Sequence, residues 1–165
     1  MRKIVKAMRK VIYLRDQSNF KRYINNLLEK VDFTPIVNIV PKEIKNITFV
    51  IPGMPAFSGG HTSILRLGTE LSKKGYNVGY VSFAPQNIED MRKNAEINLT
   101  NYKGNIIGDD VKKVKSDIII ATSWESVYYS REMSGYKMYF IQDYEPYFNL
   151  YGESYIMAQK SYEVG

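Results

Sequence analysis

From residue 46 onward, short apolar segments alternate with helical patterns, and this alternation restricts the possible folds more than any other feature. Strands are predicted over Asn46–Ile51, Tyr76–Phe83, Ile97–Tyr102, Asp117–Ala121 and Lys137–Ile141. The fourth of these segments (DIIIA) is almost continuously apolar, which is typical of strands that are buried on both faces of a parallel sheet.

Between the strands, apolar residues recur at helical spacing. Helices are predicted over Gly59–Lys74, with Gly75 as the stop signal, and over Ile88–Asn94, Trp124–Met133 and Ser154–Tyr162. Strands that alternate with helices favour an α/β fold, and the expected form is a Rossmann-like doubly wound parallel sheet with right-handed crossovers.

The segment before residue 44 has a different pattern. Apolar side chains at helical spacing predict helices within residues 2–15 and over 20–31. Thr34-Pro35 and Pro41 then indicate an extended linker, because proline disfavours helix at its own position and at the preceding one. Two parts are therefore expected, a helical extension with its linker over residues 1–43 and a main domain over 44–165.

The positive charge of the chain is concentrated at its N-terminus. Residues 1–31 carry nine lysine or arginine side chains against two acids, although the whole chain has a net charge of only +6. Such a segment can bind nucleic acid or an anionic membrane surface, or can simply be a solvated face. We expect no nucleic-acid partner and regard residues 1–31 as a candidate for peripheral contact with the inner face of the cell membrane.

The chain contains no cysteine and a single histidine, His61. Disulfides, thiolate catalysis, cysteine-based zinc sites and multi-histidine metal sites are therefore excluded, and no metal or cofactor is expected. The absence of cysteine suits a reducing cytoplasm. The sequence has neither a long apolar run nor a secretory signal, so a cytoplasmic location is expected.

A glycine-rich turn connects the first predicted strand to its helix over residues 52–62. Ligands bind at the carboxyl ends of strands in open α/β sheets, and free N–H groups at a helix start attract anions such as phosphate. The first site candidates are therefore Gly59, Gly60, His61 and Thr62. In the alternative interpretation, the glycines only permit a tight turn and the histidine is a neutral capping or surface residue.

The same turn lacks the motifs of two common nucleotide-binding classes. It is not G-x-G-x-x-G, and the second strand ends without an acid that could hold a ribose, which argues against an NAD site. No Gly-Lys-Ser/Thr sequence occurs, so a P-loop NTPase is excluded.

Ser123 and Trp124 follow the strand Asp117–Ala121 and should face the same cleft. Ser123 is a candidate helix N-cap, but the residue three positions later is Ser126, so we expect no full capping box. The single tryptophan could stack against a sugar or be buried beneath the loop.

Two acids and several aromatic residues follow the last predicted strand. Asp143 and Glu145 could hydrogen-bond sugar hydroxyls or act as a base, and Tyr144 lies between them. If the strand continues, alternation places the two acids on opposite faces, so a paired-carboxylate device of the glycosidase type is not supported. A shared cleft requires the segment from Gln142 and the double-glycine turn to lie side by side at one edge of the sheet.

These motifs together resemble a known family. Ile47–Ser82, which contains Phe57-Ser58-Gly59-Gly60-His61-Thr62, is similar to the opening βαβ unit of retaining GT-B glycosyltransferases of family four. The likeness is closest to the bacterial rhamnosyltransferase group that builds surface-polysaccharide and S-layer glycans. Phe140–Phe148 (FIQDYEPYF), with Gly152 and Tyr155, resembles the segment that closes the N-terminal domain in that group.

The resemblance covers about residues 46–162 and implies an N-terminal, acceptor-side domain. It places Gly59 and Gly60 beside the diphosphate of a nucleotide-sugar donor, and His61 and Thr62 near a glycan or lipid-linked acceptor. Many relatives have a histidine at the end of the fifth strand; Gln142 and Asp143 stand there in this chain, so the contact with the donor sugar falls to Asp143. His61 and Asp143 are thus the candidate catalytic residues.

The resemblance further implies transfer of a sugar such as rhamnose, with the departing diphosphate stabilised by N–H groups and positive charge and no metal required. The donor-gripping C-terminal domain, with its paired glutamates, is absent from these 165 residues, so the isolated chain is expected to be inactive. The alternative is a non-catalytic binding module or partner subunit of the same fold.

Overall fold

The structure is a computed structural model that describes residues 18, 21–111 and 114–164. The chain divides into two compact units, residues 1–31 and 32–165. In the first unit, residues 21–28 form helix α1, within the predicted range 20–31. The helix predicted within residues 2–15 lies outside the described residues.

The second unit is built on a parallel sheet of five strands in the order β3-β2-β1-β4-β5. The strands are β1 (Asn46–Ile51), β2 (Asn77–Ser82), β3 (Asn105–Gly108), β4 (Lys115–Ala121) and β5 (Ser134–Tyr139). The helices are α2 (Gly59–Lys73), α3 (Ile88–Asn98), α4 (Trp124–Ser130) and α5 (Glu153–Ser161), and a 3-10 helix covers Glu145–Phe148. The predicted α/β, Rossmann-like class is confirmed.

Alternating side chains of the central strand pack on opposite faces of the sheet. Phe49 belongs to the larger core, which includes Ile64 and Leu65 of α2 and Met91 of α3. Val50, the next residue, packs in a second cluster with other aliphatic residues: Val81, Val114, Ile119 and Met133. Both faces of β1 are therefore buried, which explains its nearly continuous apolar sequence.

The third strand was predicted wrongly. Residues 97–102 contain the end of α3 and a turn, and β3 begins only at Asn105. The helix outlasts its predicted end because Met91 and Ala95, four residues apart, both face the core. Gly104, with a φ of +104°, then provides the left-handed conformation that precedes β3.

Two other elements differ from their predicted bounds by three residues at one end. Helix α4 ends at Ser130 instead of Met133, and β5 covers Ser134–Tyr139 instead of Lys137–Ile141. The strand begins early because Gly135 fits closely against β4: a Cβ atom at this position would lie 2.3 Å from the Ser116 carbonyl oxygen.

The predicted linker belongs to the second unit and contacts Arg131 and strand β5. Asp32 pairs with Arg131 at 2.8 Å. The Asn38 side chain donates to the Lys137 carbonyl at 3.0 Å and accepts from the Lys137 N–H at 2.7 Å, so it occupies hydrogen-bonding groups of the edge strand β5. Among the described residues, no helix has the length and apolar character needed to cross a bilayer.

Candidate functional site

The predicted site residues follow the carboxyl ends of β1, β4 and β5, which meet at one edge of the sheet. Strands β2 and β3 lie on one side of β1, and β4 and β5 lie on the other. Open α/β sheets bind ligands where the strand order reverses in this way. A Cβ atom on Gly60 would lie 3.3 Å from the side-chain oxygen of Gln142, so the two predicted segments do lie side by side.

Helix α2 leaves two N–H groups of its first turn without an acceptor in the described part of the chain. The Ser58 N–H donates to Asn98 Oδ1 at 2.8 Å, and the His61 N–H donates to Ser58 Oγ at 3.4 Å. The remaining N–H groups belong to Gly59 and Gly60, which are both exposed. Together with the helix dipole, such groups attract anions.

Glycine is not needed for the backbone conformation at these two positions. Neither Gly59 nor Gly60 has a positive φ, whereas Gly53 earlier in the loop has a φ of +118°. A Cβ atom on Gly59 would meet no atom within 4 Å. Close approach of another group is therefore a better reason for the glycine pair than the tightness of the turn.

The side chain of His61 is buried and holds the loop. Its Nε2 lies 2.8 Å from the Gly53 carbonyl oxygen, and its Nδ1 lies 2.8 Å from Ser58 Oγ. Because a carbonyl oxygen can only accept, we assign the proton to Nε2, and Nδ1 then accepts from the serine hydroxyl. Burial lowers the pKa of His61, partly offset by the bond to Gly53, so the ring is neutral at pH 7. The ring positions the loop, and its contact with a substrate stays a prediction.

Thr62 is also engaged within the protein. Its hydroxyl lies 2.9 Å from the Ser58 carbonyl oxygen and 3.2 Å from that of Asn98, and it donates to these groups. The single hydroxyl proton is thus used inside the chain, while the oxygen can still accept a bond from a ligand.

Ser123 caps α4, and the expectation that no capping box is present was wrong. Ser123 Oγ accepts from the Ser126 N–H at 3.4 Å, and Ser126 Oγ accepts from the Ser123 N–H at 2.9 Å. Ser126 replaces the usual Glu or Gln because its short side chain is buried against the loop and also accepts from the Thr122 N–H.

Trp124 is buried beneath the loop. Its side chain is only 6% exposed and packs edge-to-face on Tyr128 with the ring centres 6.4 Å apart. The structure therefore matches the buried alternative, and no open indole face is available for stacking with a sugar.

Glu145 binds protein groups with both carboxylate oxygens. Oε2 accepts from the Trp124 N–H at 2.7 Å, and Oε1 accepts from the Tyr139 hydroxyl at 3.2 Å. Burial raises the pKa of Glu145, although these two bonds act in the opposite direction. The alternation argument does not apply to this residue, because β5 ends at Tyr139 and Glu145 begins the 3-10 helix.

Asp143 is the predicted acid that remains exposed. Its Oδ1 accepts from the Tyr144 N–H at 2.7 Å, which fixes the side chain at the rim. Tyr144 is half-buried and packs on Tyr147 and Tyr162 with ring centres 4.8 and 5.4 Å away. Gln142 thus presents a polar side chain next to the glycine turn, and the exposed Asp143 follows it in the chain.

Sequence reasoning missed the side-chain amides that hold the turn. Gln86, Asn94 and Asn98 all bond to backbone groups of the loop before α2. Asn98 was assigned to a strand, where its side chain had no predicted relation to the turn. The helical spacing of Met91 and Ala95 was the signal that could have placed it at the end of α3.

One described cavity lies elsewhere. It has a volume of about 500 Å³ and is lined by residues at the amino ends of the strands, among them Asn46, Asn77 and Asn105. None of the predicted site residues lines this cavity. Among the described residues, no cluster of three or more carboxylate, histidine or cysteine side chains could hold a metal ion.

Comparison with protein-family models gives no match for this chain, and comparison with curated proteins gives none either.

Proposed function

We propose that this chain is the acceptor-side domain of a retaining glycosyltransferase that moves a sugar, such as rhamnose, from a nucleotide-sugar donor to a glycan or lipid-linked acceptor. The proposal combines the sequence resemblance with the arrangement at the carboxyl edge of the sheet.

The observation that carries the proposal is the juxtaposition of the glycine turn and Gln142. Two exposed N–H groups, from Gly59 and Gly60, lie at the start of the 15-residue helix α2 and have no protein acceptor in the described chain. The side chain of Gln142 lies beside them, and the exposed Asp143 follows. The arrangement suits a diphosphate on one side and sugar hydroxyls on the other.

Exposed aromatic side chains near Asp143 support a carbohydrate acceptor. Tyr147 is 78% exposed, Phe148 is 69% exposed and Tyr151 is 87% exposed. Aromatic rings with a polar group can pack on the apolar face of a sugar while the hydroxyls form hydrogen bonds.

In the proposed mechanism, the glycine N–H groups stabilise negative charge on the departing diphosphate. The Asp143 carboxylate accepts hydrogen bonds from sugar hydroxyls. Glu145 is not assigned a proton-transfer role, because both of its oxygens are bonded to protein groups.

The test is an amide NMR titration of the chain with inorganic pyrophosphate, dTDP and dTDP-rhamnose. We expect the largest shifts at the N–H groups of Gly59 and Gly60, with smaller ones at Gln142 and Asp143. Uniform small shifts, or shifts concentrated at the other edge of the sheet, would refute the proposed diphosphate site.

A non-catalytic binding module is the second candidate. The hydrogen bonds of His61 and Glu145 to other groups of the protein favour this candidate, because they engage two titratable side chains that a catalytic site would direct at a substrate. Titration with glycans separates the candidates: a module would bind glycan with no response to pyrophosphate at the glycine turn, whereas the transferase domain responds to both.

A further inference from the structure

The loop between β1 and α2 is held by side-chain amides that come from a later part of the chain. Asn98, at the end of α3, binds it at two points: Oδ1 accepts from the Ser58 N–H at 2.8 Å, and Nδ2 donates to the Pro55 carbonyl at 2.7 Å. One planar amide thus fixes the distance between two backbone groups that lie on either side of Phe57.

A second set of amides fixes the start of the same loop. Gln86 accepts from the Met54 N–H at 2.6 Å and donates to the Met54 carbonyl at 3.1 Å. Asn94 donates to the same carbonyl at 2.8 Å. Both backbone groups of Met54 are therefore hydrogen-bonded to side-chain amides, as they would be to the backbone of a neighbouring strand.

The loop needs this support because its conformation is strained. Phe57, directly before the N-cap Ser58, has a φ of +57°, which is uncommon for a residue with a side chain. The Phe57 side chain is 90% exposed, so its packing does not hold the conformation. The Asn98 bonds to Pro55 and Ser58 are the contacts that bracket it.

We propose that Asn98, assisted by Gln86 and Asn94, is a positioning residue that presets the N–H groups of Gly59 and Gly60 for an anionic ligand. The inference rests on the proposed diphosphate site. By accepting from the Ser58 N–H, Asn98 also removes a competing donor, so that the exposed N–H groups at the helix start are those of the two glycines. A site fixed before binding loses less conformational entropy when the ligand arrives.

The test compares Asn98→Ala with Asn87→Ala. Asn87 is the N-cap of α3 and accepts from the N–H groups of Glu89 and Asp90, so its removal weakens the same helix without touching the loop. We expect Asn98→Ala to weaken the binding of inorganic pyrophosphate about tenfold relative to Asn87→Ala, as the loss of two hydrogen bonds implies. Equal affinities of the two variants would overturn the proposal.

A conservative variant guards against general unfolding. Asn98→Asp keeps an acceptor for the Ser58 N–H, but it loses the donor to Pro55 and adds a negative charge close to the anion. It should retain the native amide spectrum outside the loop and bind pyrophosphate more weakly than Asn98→Ala. Wild-type affinity in this variant would contradict the inference.

Hydrogen exchange in the free protein separates the two proposals. If the wild-type chain does not respond to pyrophosphate, the diphosphate site is wrong. The positioning role is then decided by the hydrogen-bonded amides of Ser58 and His61, which should exchange faster in Asn98→Ala than in Asn87→Ala. Identical exchange in the two variants would overturn it.

Discussion

Gln142 occupies the space that a side chain on Gly60 would enter, since a Cβ atom there would lie 3.3 Å from Oε1 and 3.5 Å from Nε2 of the glutamine. The contact joins the loop after β1 to the segment after β5, although β4 lies between these strands in the sheet. Because it involves the far end of a flexible side chain, it can be relieved by rotation of Gln142 without a backbone shift.

This relationship predicts that Gly60→Val weakens pyrophosphate binding but preserves the fold. The valine methyl groups should cover the Gly60 N–H and lower the affinity at least about tenfold. The free energy of unfolding should change by less than about 1 kcal/mol, because φ is not positive at this position. NMR titration and urea unfolding measure the two quantities.

The control for that variant is the pair Gly60→Val with Gln142→Ala, which removes the contact with the glutamine. Binding should remain weak if the valine acts by covering the Gly60 N–H. Recovery in the double variant would assign the effect to displaced Gln142, and wild-type binding by Gly60→Val would contradict the site itself.

The main strands could be predicted because short apolar runs in the sequence directly indicate buried strands. Strands β1, β2 and β4 are short apolar runs, and in the sheet each is buried over most of its length. Strand β3 has only four residues, with a burial pattern that alternates between exposed and buried, so its sequence does not distinguish it from the preceding segment, residues 97–102. Short edge strands carry little hydrophobic signal.

The location of the candidate site could also be predicted, whereas the partners of its side chains could not. Glycine pairs at a strand–helix junction and polar residues after a parallel strand meet at one edge by topology alone. The hydrogen bonds of His61 to Gly53 and of Glu145 to Trp124 depend on the conformation of loops. The spacing of apolar residues in the sequence does not predict that conformation. The hydrogen bonds of the Asn98 side chain could not be predicted for the same reason.

Glu145 should stabilise the fold through its hydrogen bonds and not through its charge. Glu145→Ala leaves the Trp124 N–H and the Tyr139 hydroxyl without this acceptor and should lower the free energy of unfolding by about 1–3 kcal/mol. In Glu145→Gln, the amide oxygen can still accept from the Trp124 N–H, and the amide nitrogen can donate to the Tyr139 hydroxyl oxygen. The change also avoids burying an ionised group, so this variant should be at least as stable as the wild type at pH 7. Urea unfolding tests both, with the exposed Glu153→Gln as the control. If Glu145→Ala and Glu145→Gln lowered the free energy of unfolding equally, the carboxylate charge would be what stabilises the fold, against this prediction.

Gly68 is required for close packing of α2 on β2. A Cβ atom there would lie 2.1 Å from the Tyr80 hydroxyl oxygen and 2.9 Å from Cζ. Gly68→Ala should therefore destabilise the fold by about 1–3 kcal/mol, whereas Gly59→Ala on the same helix, where the space is open, should be neutral or stabilising. Adding Tyr80→Phe should recover part of the loss in thermal unfolding. A double variant whose loss is the sum of the two single losses would contradict this contact.

The basic N-terminal segment is proposed to contact anionic membrane. Replacing Lys3, Lys6 and Lys10 by glutamine should weaken binding to phosphatidylserine vesicles about 100-fold, since each lysine near such a surface contributes about 1 kcal/mol. The control replaces three lysines outside this segment, Lys42, Lys93 and Lys103, with the same change in net charge. Vesicle sedimentation measures both variants, and equal binding would refute the assignment to residues 1–31.

The burial of His61 should make stability depend on pH in a predictable direction. Its pKa in the folded protein lies below the ordinary value of 6.5, so the unfolded chain takes up the proton first as the pH falls. The contribution of the neutral ring to the free energy of unfolding should be fully present above pH 6.5. It should decline as the pH falls from 6.5 to the pKa of His61 in the folded protein, with a slope of at most about 1.4 kcal/mol per pH unit for one proton. Because the chain has a single histidine, His61→Gln should remove this decline in urea unfolding between pH 5 and 7.

The raised pKa of Glu145 has the opposite effect, because the stability that its retained proton contributes is lost as the pH rises. Both measurements are therefore made in the Glu145→Gln background. A decline that persists without the histidine would show that another group causes it.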